Sequence, residues 1–111
     1  MKVLIDSERF PGAPMCMTDV RYPPSARCPI HRHDSSAEVY FVLEGELVAT
    51  VEGKAHRIPE GQLIYIPPAR LHYAENQGDE TCRFLAYHAP EVRDIAQMKA
   101  EWKKISQRTG P

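Results

Sequence analysis

Three histidines and one glutamate are the residues of this chain whose types and spacing are best suited to chemistry. His31 and His33 are separated by one residue, and Glu38 follows after four more. Side chains i and i+2 of a strand share a face, so both imidazoles can reach one ion. A third imidazole, His72, follows a double-proline turn. Three neutral imidazoles and one carboxylate suit Fe, Mn, Ni or Zn as a single divalent ion, and they leave a position open to water or substrate.

The residues around these four resemble the two sequence motifs of the cupin superfamily. The first motif spans about residues 25–45 and the second about residues 61–76. The resemblance implies a small single-domain, metal-binding cupin of the cupin 2 type, in which the three histidines and the glutamate hold the ion. The matching positions are His31-x-His33-x4-Glu38-x6-Gly45 and Gly61-x5-Pro67-x-Ala69-x2-His72-x3-Asn76.

Two positions depart from these motifs. Ser25 and Ala69 stand where the family usually carries glycine, and neither is a ligand position. A residue with a β-carbon in the left-handed region costs on the order of 1 kcal/mol. We therefore predict that the turn from Pro67 to Arg70 adopts a type I geometry with a negative φ at Ala69.

Short apolar runs separated by turn residues predict an all-β fold. Turns are expected at Glu44-Gly45, Glu52-Gly53 and Pro59-Glu60-Gly61. The pattern suits a jelly-roll barrel, the double-stranded β-helix of the cupins, whose interior is wide enough for one small ligand. The predicted strands are Val3–Ile5, Met15–Arg21, Ile30–His33, Glu38–Glu44, Leu47–Val51, Ala55–Ile58, Gln62–Ile66, His72–Glu75 and Cys82–His88.

The predicted strand from Glu38 to Glu44 is apolar on both faces. Tyr40 and Val42 share the face of Glu38 and are expected inside the barrel, whereas the alternate residues face outward. A strand that is apolar on both sides has to be covered on both, by the other sheet and a helix or by a second subunit. This favours a homodimer, which the resemblance also implies.

A C-terminal α-helix is predicted over about residues 91–106. Apolar residues recur there at three- and four-residue steps from Val92 to Ile105, with lysines between them, and Pro90 precedes the segment. This periodicity is typical of an amphipathic helix that packs on the outside of a barrel.

Length and charge predict one domain over residues 1–111 and exclude several function classes. Lys and Arg number 14 against 15 Asp and Glu, a net charge of -1 that offers no electrostatic surface for nucleic acid. No apolar run approaches the ~20 residues of a membrane span, and the apolar start is too short for a signal peptide. The 3 cysteines show no C-x2-C spacing, which favours reduced thiols. These features predict a cytoplasmic protein.

Tyr40 and Arg70 are the candidate catalytic residues. Tyr40 is expected on the inner wall as a hydrogen-bond donor, and Arg70 lies on the turn before His72. The alternatives are a core aromatic residue and a solvated arginine. His56 and His88 are interpreted as a surface or core histidine without a role in the site.

A divalent ion with these four ligands carries a net charge near +1, which can anchor a carboxylate, an enolate or a vicinal oxygen pair. We therefore predict a small anionic or carbonyl substrate. The sequence favours a metalloenzyme, with a dioxygenase ahead of an isomerase or lyase. A non-catalytic binding module for a small molecule or metal is the alternative. A regulator is disfavoured because no helix-turn-helix or second domain is encoded.

Overall fold

Eight β-strands account for the secondary structure of residues 1–90, the part of the chain that this computed structural model describes. None of the described residues forms a helix that is long and apolar enough to cross a membrane. The helix predicted over about 91–106 lies outside the described residues. The strands are β1 Lys2–Ile5, β2 Cys16–Tyr22, β3 Ala37–Glu44, β4 Glu46–Val51, β5 Lys54–Pro59, β6 Leu63–Ile66, β7 His72–Glu75 and β8 Cys82–Ala89.

The strands form two antiparallel sheets that enclose one core. The larger sheet has the order β1-β2-β8-β3-β6, and the smaller has the order β5-β4-β7. Val42 and Phe84 contribute to the core from the larger sheet, and Leu47 and Ala49 contribute from the smaller. The prediction of an all-β jelly-roll barrel is confirmed, and eight of the predicted strands are present with bounds within one residue.

Strand β3 shows the predicted alternation. Glu38, Tyr40 and Val42 point inward and are 2%, 3% and 0% exposed. The alternate residues of the same strand are half-buried on its outer face. Because a buried carboxylate is unfavourable unless it is paired, this alternation requires partners for Glu38 inside the barrel.

The one predicted strand that does not form is Ile30–His33, which makes only a single bridge to β7. The backbone amide of His31 donates to the His72 carbonyl at 3.0 Å, and the His72 amide donates to the His31 carbonyl at 2.9 Å. Pro29 has no N–H with which to continue the ladder, and the amide of Cys28 bonds to the Ala74 carbonyl instead. The segment is nevertheless extended at the ligands, since His31 and His33 are both buried and the residue between them is exposed.

A tight turn at Gly45 carries the chain from the larger sheet to the smaller. Gly45 has a φ of 77°. A β-carbon there would lie 3.0 Å from the carbonyl oxygen of Thr81. Glycine is therefore required both by the left-handed backbone and by the close approach of Thr81, the residue before β8.

The prediction of a negative φ at Ala69 is wrong. Ala69 has a φ of 65°, and Ser25, at the other position where the motifs usually carry glycine, has a φ of 71°. Each amide is tied to another segment, because Ala69 N donates to the His33 carbonyl at 2.9 Å and Ser25 N donates to the Asn76 carbonyl at 3.0 Å. These tertiary hydrogen bonds keep the left-handed conformation despite the β-carbon.

We expect Ala69→Gly and Ser25→Gly each to raise the free energy of unfolding by about 1 kcal/mol. Glycine removes roughly 1–2 kcal/mol of left-handed strain and adds about 0.5–1 kcal/mol of lost backbone entropy. Denaturant unfolding measures the change. The control is Ala55→Gly in β5, where φ is not positive and a loss of about 0.5–1 kcal/mol is expected. Destabilisation by Ala69→Gly would contradict the strain.

Candidate metal centre

The four predicted ligands come from three segments of the chain and meet inside the barrel. Glu38 lies on β3 of the larger sheet, and His72 is the first residue of β7 in the smaller sheet. His31 and His33 lie between β2 and β3, next to β7 through the His31–His72 bridge. One ligand atom from each residue lies within 4.8 Å of the others, and all four residues are buried. The structure therefore gathers a group that could hold one metal ion.

Backbone carbonyls orient two of the imidazoles. The Nδ1 atom of His31 is 2.7 Å from the Pro29 carbonyl oxygen, and the Nδ1 atom of His72 is 2.8 Å from the Arg70 carbonyl oxygen. Because a carbonyl oxygen can only accept, each Nδ1 carries a proton. In the neutral ring the lone pair then lies on Nε2, so Nε2 is the nitrogen that can bind a metal ion.

The ring nitrogens of His33 indicate whether the group of four residues suits a metal ion. Its side chain is buried, and neither ring nitrogen has a hydrogen-bond partner within residues 1–90. An unsatisfied buried polar atom costs about 1–3 kcal/mol, and coordination of one nitrogen would remove part of that cost. Two ligands at about 2.1 Å from one ion lie at most about 4.2 Å apart. The most widely separated pair, within 4.8 Å here, is therefore near the range that one ion can span. The donor types and their separations fit a divalent ion.

The Glu38 carboxylate lies at the centre of a cluster of buried side chains, which consists of the four predicted ligands together with Tyr40 and His88. The Nε2 atom of His72 lies 2.5 Å from its Oε1, and the Nε2 atom of His88 lies 2.5 Å from its Oε2. The Tyr40 hydroxyl donates to Oε1 at 3.1 Å. Burial alone would raise the pKa of Glu38, but His88 and His72 hold that pKa well below its usual range. Glu38 is therefore ionised and can serve as an anionic ligand.

The histidines differ in charge. Burial lowers the pKa of His31 and of His33 to about 4, so both rings are neutral near pH 7 and can bind an ion without losing a proton. Burial also acts to lower the pKa of His72, but the Glu38 carboxylate outweighs it and raises that pKa. An ion that binds His72 below this pKa has to displace a proton.

His88 is the member of the cluster that the sequence analysis missed. It is 1% exposed and faces Glu38 directly across the β3–β8 pair. Burial would lower the pKa of His88, but Glu38 and the neighbouring Cys16 raise it to about 10, so the ring is a cation that balances the carboxylate. The alternation Phe84, Ala86, His88 places the ring on the inner face. No local feature of the sequence identifies β3 as the neighbour of β8.

The two predicted catalytic residues lie in different surroundings. Burial, followed by the Glu38 charge, raises the pKa of Tyr40 well above its usual range, so the phenol keeps its proton and remains a donor. Arg70 is exposed on the turn before His72, and its guanidinium makes no hydrogen bond or ion pair within residues 1–90. The backbone carbonyl of Arg70 orients a ligand, and its side chain is open to solvent.

The cysteines lie outside the metal group. Cys16, Cys28 and Cys82 are buried and unpaired with one another, which agrees with the prediction of reduced thiols. Burial raises the pKa of the Cys28 thiol to about 11, so it remains protonated in the core. Cys28 is 5% exposed and belongs to the hydrophobic core.

Three known proteins illustrate what this chain is similar to. The oxalate-binding protein of Thermotoga maritima is 28% identical over 86 residues, which are 78% of this chain and 71% of that protein. The structure of a predicted oxalate decarboxylase from Thermotoga maritima has a TM-score of 0.73 at 26% identity, covering 79% of this chain and 76% of that chain. The glucose-6-phosphate isomerase of Pyrococcus horikoshii is 41% identical over 67 residues, 56% of this chain. Those residues span only 35% of the isomerase.

A family model described as the cupin domain matches residues 18–88. The match covers more than half of the 111 residues. It begins at Thr18 in β2, ends at His88 in β8 and contains every residue of the cluster around Glu38. The chain therefore belongs to the cupin family.

Proposed function

We propose that the chain binds one divalent metal ion through His31, His33, Glu38 and His72 and acts on a small anionic or carbonyl substrate. The convergence of four buried ligand atoms within 4.8 Å of one another carries this proposal. The hydrogen bonds from Nδ1 to backbone carbonyls support it, since they direct Nε2 of two histidines to the centre before any ion arrives. The donor set suits Fe, Mn, Ni or Zn.

The charge of the site favours an oxyanion as substrate. Three neutral imidazoles and one carboxylate leave a divalent ion with a net charge near +1. When bound, the ion supplies Lewis-acid polarisation of a carbonyl or carboxylate oxygen. Tyr40 keeps its proton and holds one oxygen of Glu38 in place. Val20, Phe84 and Ala86 line the wall beside these residues, and apolar surroundings strengthen each of the electrostatic contacts.

The reaction type is proposed from this chemistry and from the relatives. The similarity to glucose-6-phosphate isomerases supports an isomerase reaction. A dioxygenase reaction, which the sequence analysis placed ahead of isomerase or lyase chemistry, stays a prediction. Oxygen uptake by the protein loaded with iron, in the presence of small carboxylates and diketones, separates the two. A panel of aldoses and ketoses followed by NMR tests isomerisation.

A non-catalytic binding module is the second candidate, and the similarity to an oxalate-binding protein favours it. Both candidates require the ion and the same pocket. They differ in turnover. A metal-loaded protein that binds oxalate stoichiometrically but converts no member of either panel would support the binding module.

We also propose a homodimer. The outer face of the larger sheet is apolar at β3 and β6, where Leu63 and Tyr65 on edge strand β6 are 56% and 58% exposed. Their register neighbours Phe41 and Val39 on β3 are only half-buried. An exposed apolar face of this kind is typical of a protein contact. Light scattering of the purified chain measures the mass directly.

We expect His33→Ala to abolish stoichiometric metal binding while the chain still folds. The variant removes one of four ligands, and it also removes buried nitrogens that have no described hydrogen-bond partner. Metal content after dialysis and far-UV circular dichroism measure the two effects. His56→Ala, in β5 outside the cluster, is the matched control and should keep full occupancy. Full occupancy in His33→Ala would contradict the ligand assignment.

We expect His88→Gln to weaken metal affinity by roughly 10–100-fold without changing the stoichiometry at saturation. His88 touches the ligand Glu38 and is not itself in the group of four, and losses of this size are typical when such a supporting partner is changed. Competition with a chelator gives the affinity. His56→Gln serves as control. If His88→Gln and His56→Gln lose metal to the chelator equally, His88 does not support Glu38 as a ligand.

We expect Arg70→Ala to weaken oxalate binding to the metal-loaded protein by about 1–3 kcal/mol, because a charge-assisted contact would be lost. Calorimetry measures the change. Arg32→Ala is the control, since Arg32 pairs with Asp34 at 3.1 Å and is also largely exposed. Equal oxalate affinities for the two variants would show that the Arg70 side chain does not contact the bound anion.

A further inference from the structure

A cavity lies inside the barrel beside the proposed metal centre. It opens over the inner faces of β2, β3 and β8. Its wall combines the apolar Val20, Phe84 and Ala86 with the polar Thr18, Glu38 and Tyr40. No lysine or arginine belongs to the described lining. His88 also lines the cavity and pairs with Glu38. Apart from these two paired charges, the polar side chains of this wall are uncharged hydroxyls.

Thr18 is the unexplained polar residue of this cavity. It is 1% exposed, and its Oγ1 has no hydrogen-bond partner within residues 1–90. A buried hydroxyl without a partner destabilises a protein, whereas valine has nearly the same shape and no such cost. The contacts within residues 1–90 thus give no reason for threonine at this position, and a hydrogen bond to a ligand would give one.

The register of the sheet places Thr18 within reach of a ligand that is anchored at the metal centre. Thr18 pairs with Ala86 on β8, and Ala86 pairs with Tyr40 on β3. Ala86 has a small side chain, which leaves space for a ligand between the hydroxyls of Thr18 and Tyr40. The adjacent row towards the centre holds His88 and Glu38. With strands about 4.8 Å apart, Thr18 and β3 are separated by on the order of 10 Å, which a chain of roughly four to six atoms can bridge.

We propose that Thr18 is a specificity-determining residue that hydrogen-bonds a neutral oxygen at the far end of the substrate. The proposal rests on the function proposed above, in which the other end of the substrate is an oxyanion at the ion. No lysine or arginine lines the cavity, and Glu38 already balances the charge of His88, which disfavours a second carboxylate or a phosphate at the far end. The substrate class is therefore a short hydroxy acid or oxo acid with an apolar middle.

Thermal unfolding of the metal-free chain tests whether Thr18 has a structural role. We expect Thr18→Val to raise Tm by several degrees, because the substitution removes an unsatisfied buried hydroxyl and keeps the volume. Thr18→Ser, which keeps the hydroxyl, should not raise Tm. A lower Tm for Thr18→Val would show that the hydroxyl stabilises the fold, and the proposal would be overturned.

Binding of matched acids tests the ligand role. The probes are butanoate and 4-hydroxybutanoate, and pentanoate and 5-hydroxypentanoate, measured by calorimetry on the zinc-loaded chain. We expect the wild type to bind the hydroxylated member about tenfold more tightly in at least one pair, since a hydrogen bond that leaves no buried partner unsatisfied is worth this much. Thr18→Val should reduce the preference to within about twofold, and Thr18→Ser should keep it.

Val20→Ala is the control, because Val20 lies in the same wall and has no polar side-chain atom. It should weaken both members of a pair equally. Discrimination that persists in Thr18→Val, or that is absent from the wild type in both pairs, would overturn the role of Thr18 alone. A zinc-loaded wild type that binds none of the four acids would instead overturn the proposed function, and the role of Thr18 with it.

Discussion

The buried charge of Glu38 is the interaction on which the rest of this structure depends. A carboxylate in the interior of a small barrel is strongly unfavourable unless cations and donors surround it. Here His72 and His88 approach its two oxygens at 2.5 Å, and Tyr40 donates a hydrogen bond. These partners come from three strands, β7, β8 and β3, that belong to both sheets. The charge therefore fixes how the two sheets meet, and an ion would take over the compensation that His72 supplies without it.

The backbone around the centre is strained where it holds the ligands. Ala69 keeps a left-handed conformation while its amide bonds to the carbonyl of His33, and the next residue supplies the carbonyl that orients His72. A turn without this strain would move one or both of these contacts. Backbone strain near a functional site persists only where surrounding interactions overdetermine it, and the hydrogen bonds at this turn meet that condition.

Local patterns explain how much could be predicted from the sequence. The spacing of His31, His33 and Glu38 within one short stretch, and the alternation along β3, are local features, and the structure gathers the predicted ligands. The role of His88 depends on which strand pairs with β8, a nonlocal fact that no local pattern contains. The φ of Ala69 depends on a hydrogen bond to a segment 36 positions away in the numbering, from 33 to 69, which overrides the intrinsic cost of the β-carbon.

A metal site is easier to predict from this sequence than a substrate, because the two depend on different parts of the chain. The four proposed ligands all lie between residues 31 and 72, within the two motifs. The wall of the cavity is built largely by β2 and β8, where Thr18, Phe84 and Ala86 lie outside both motifs. Substitutions on these two strands can change the shape and polarity of the pocket while the four ligands stay in place. A shared fold and ligand set therefore do not fix the reaction, because the strands that flank the motifs build the wall of the pocket.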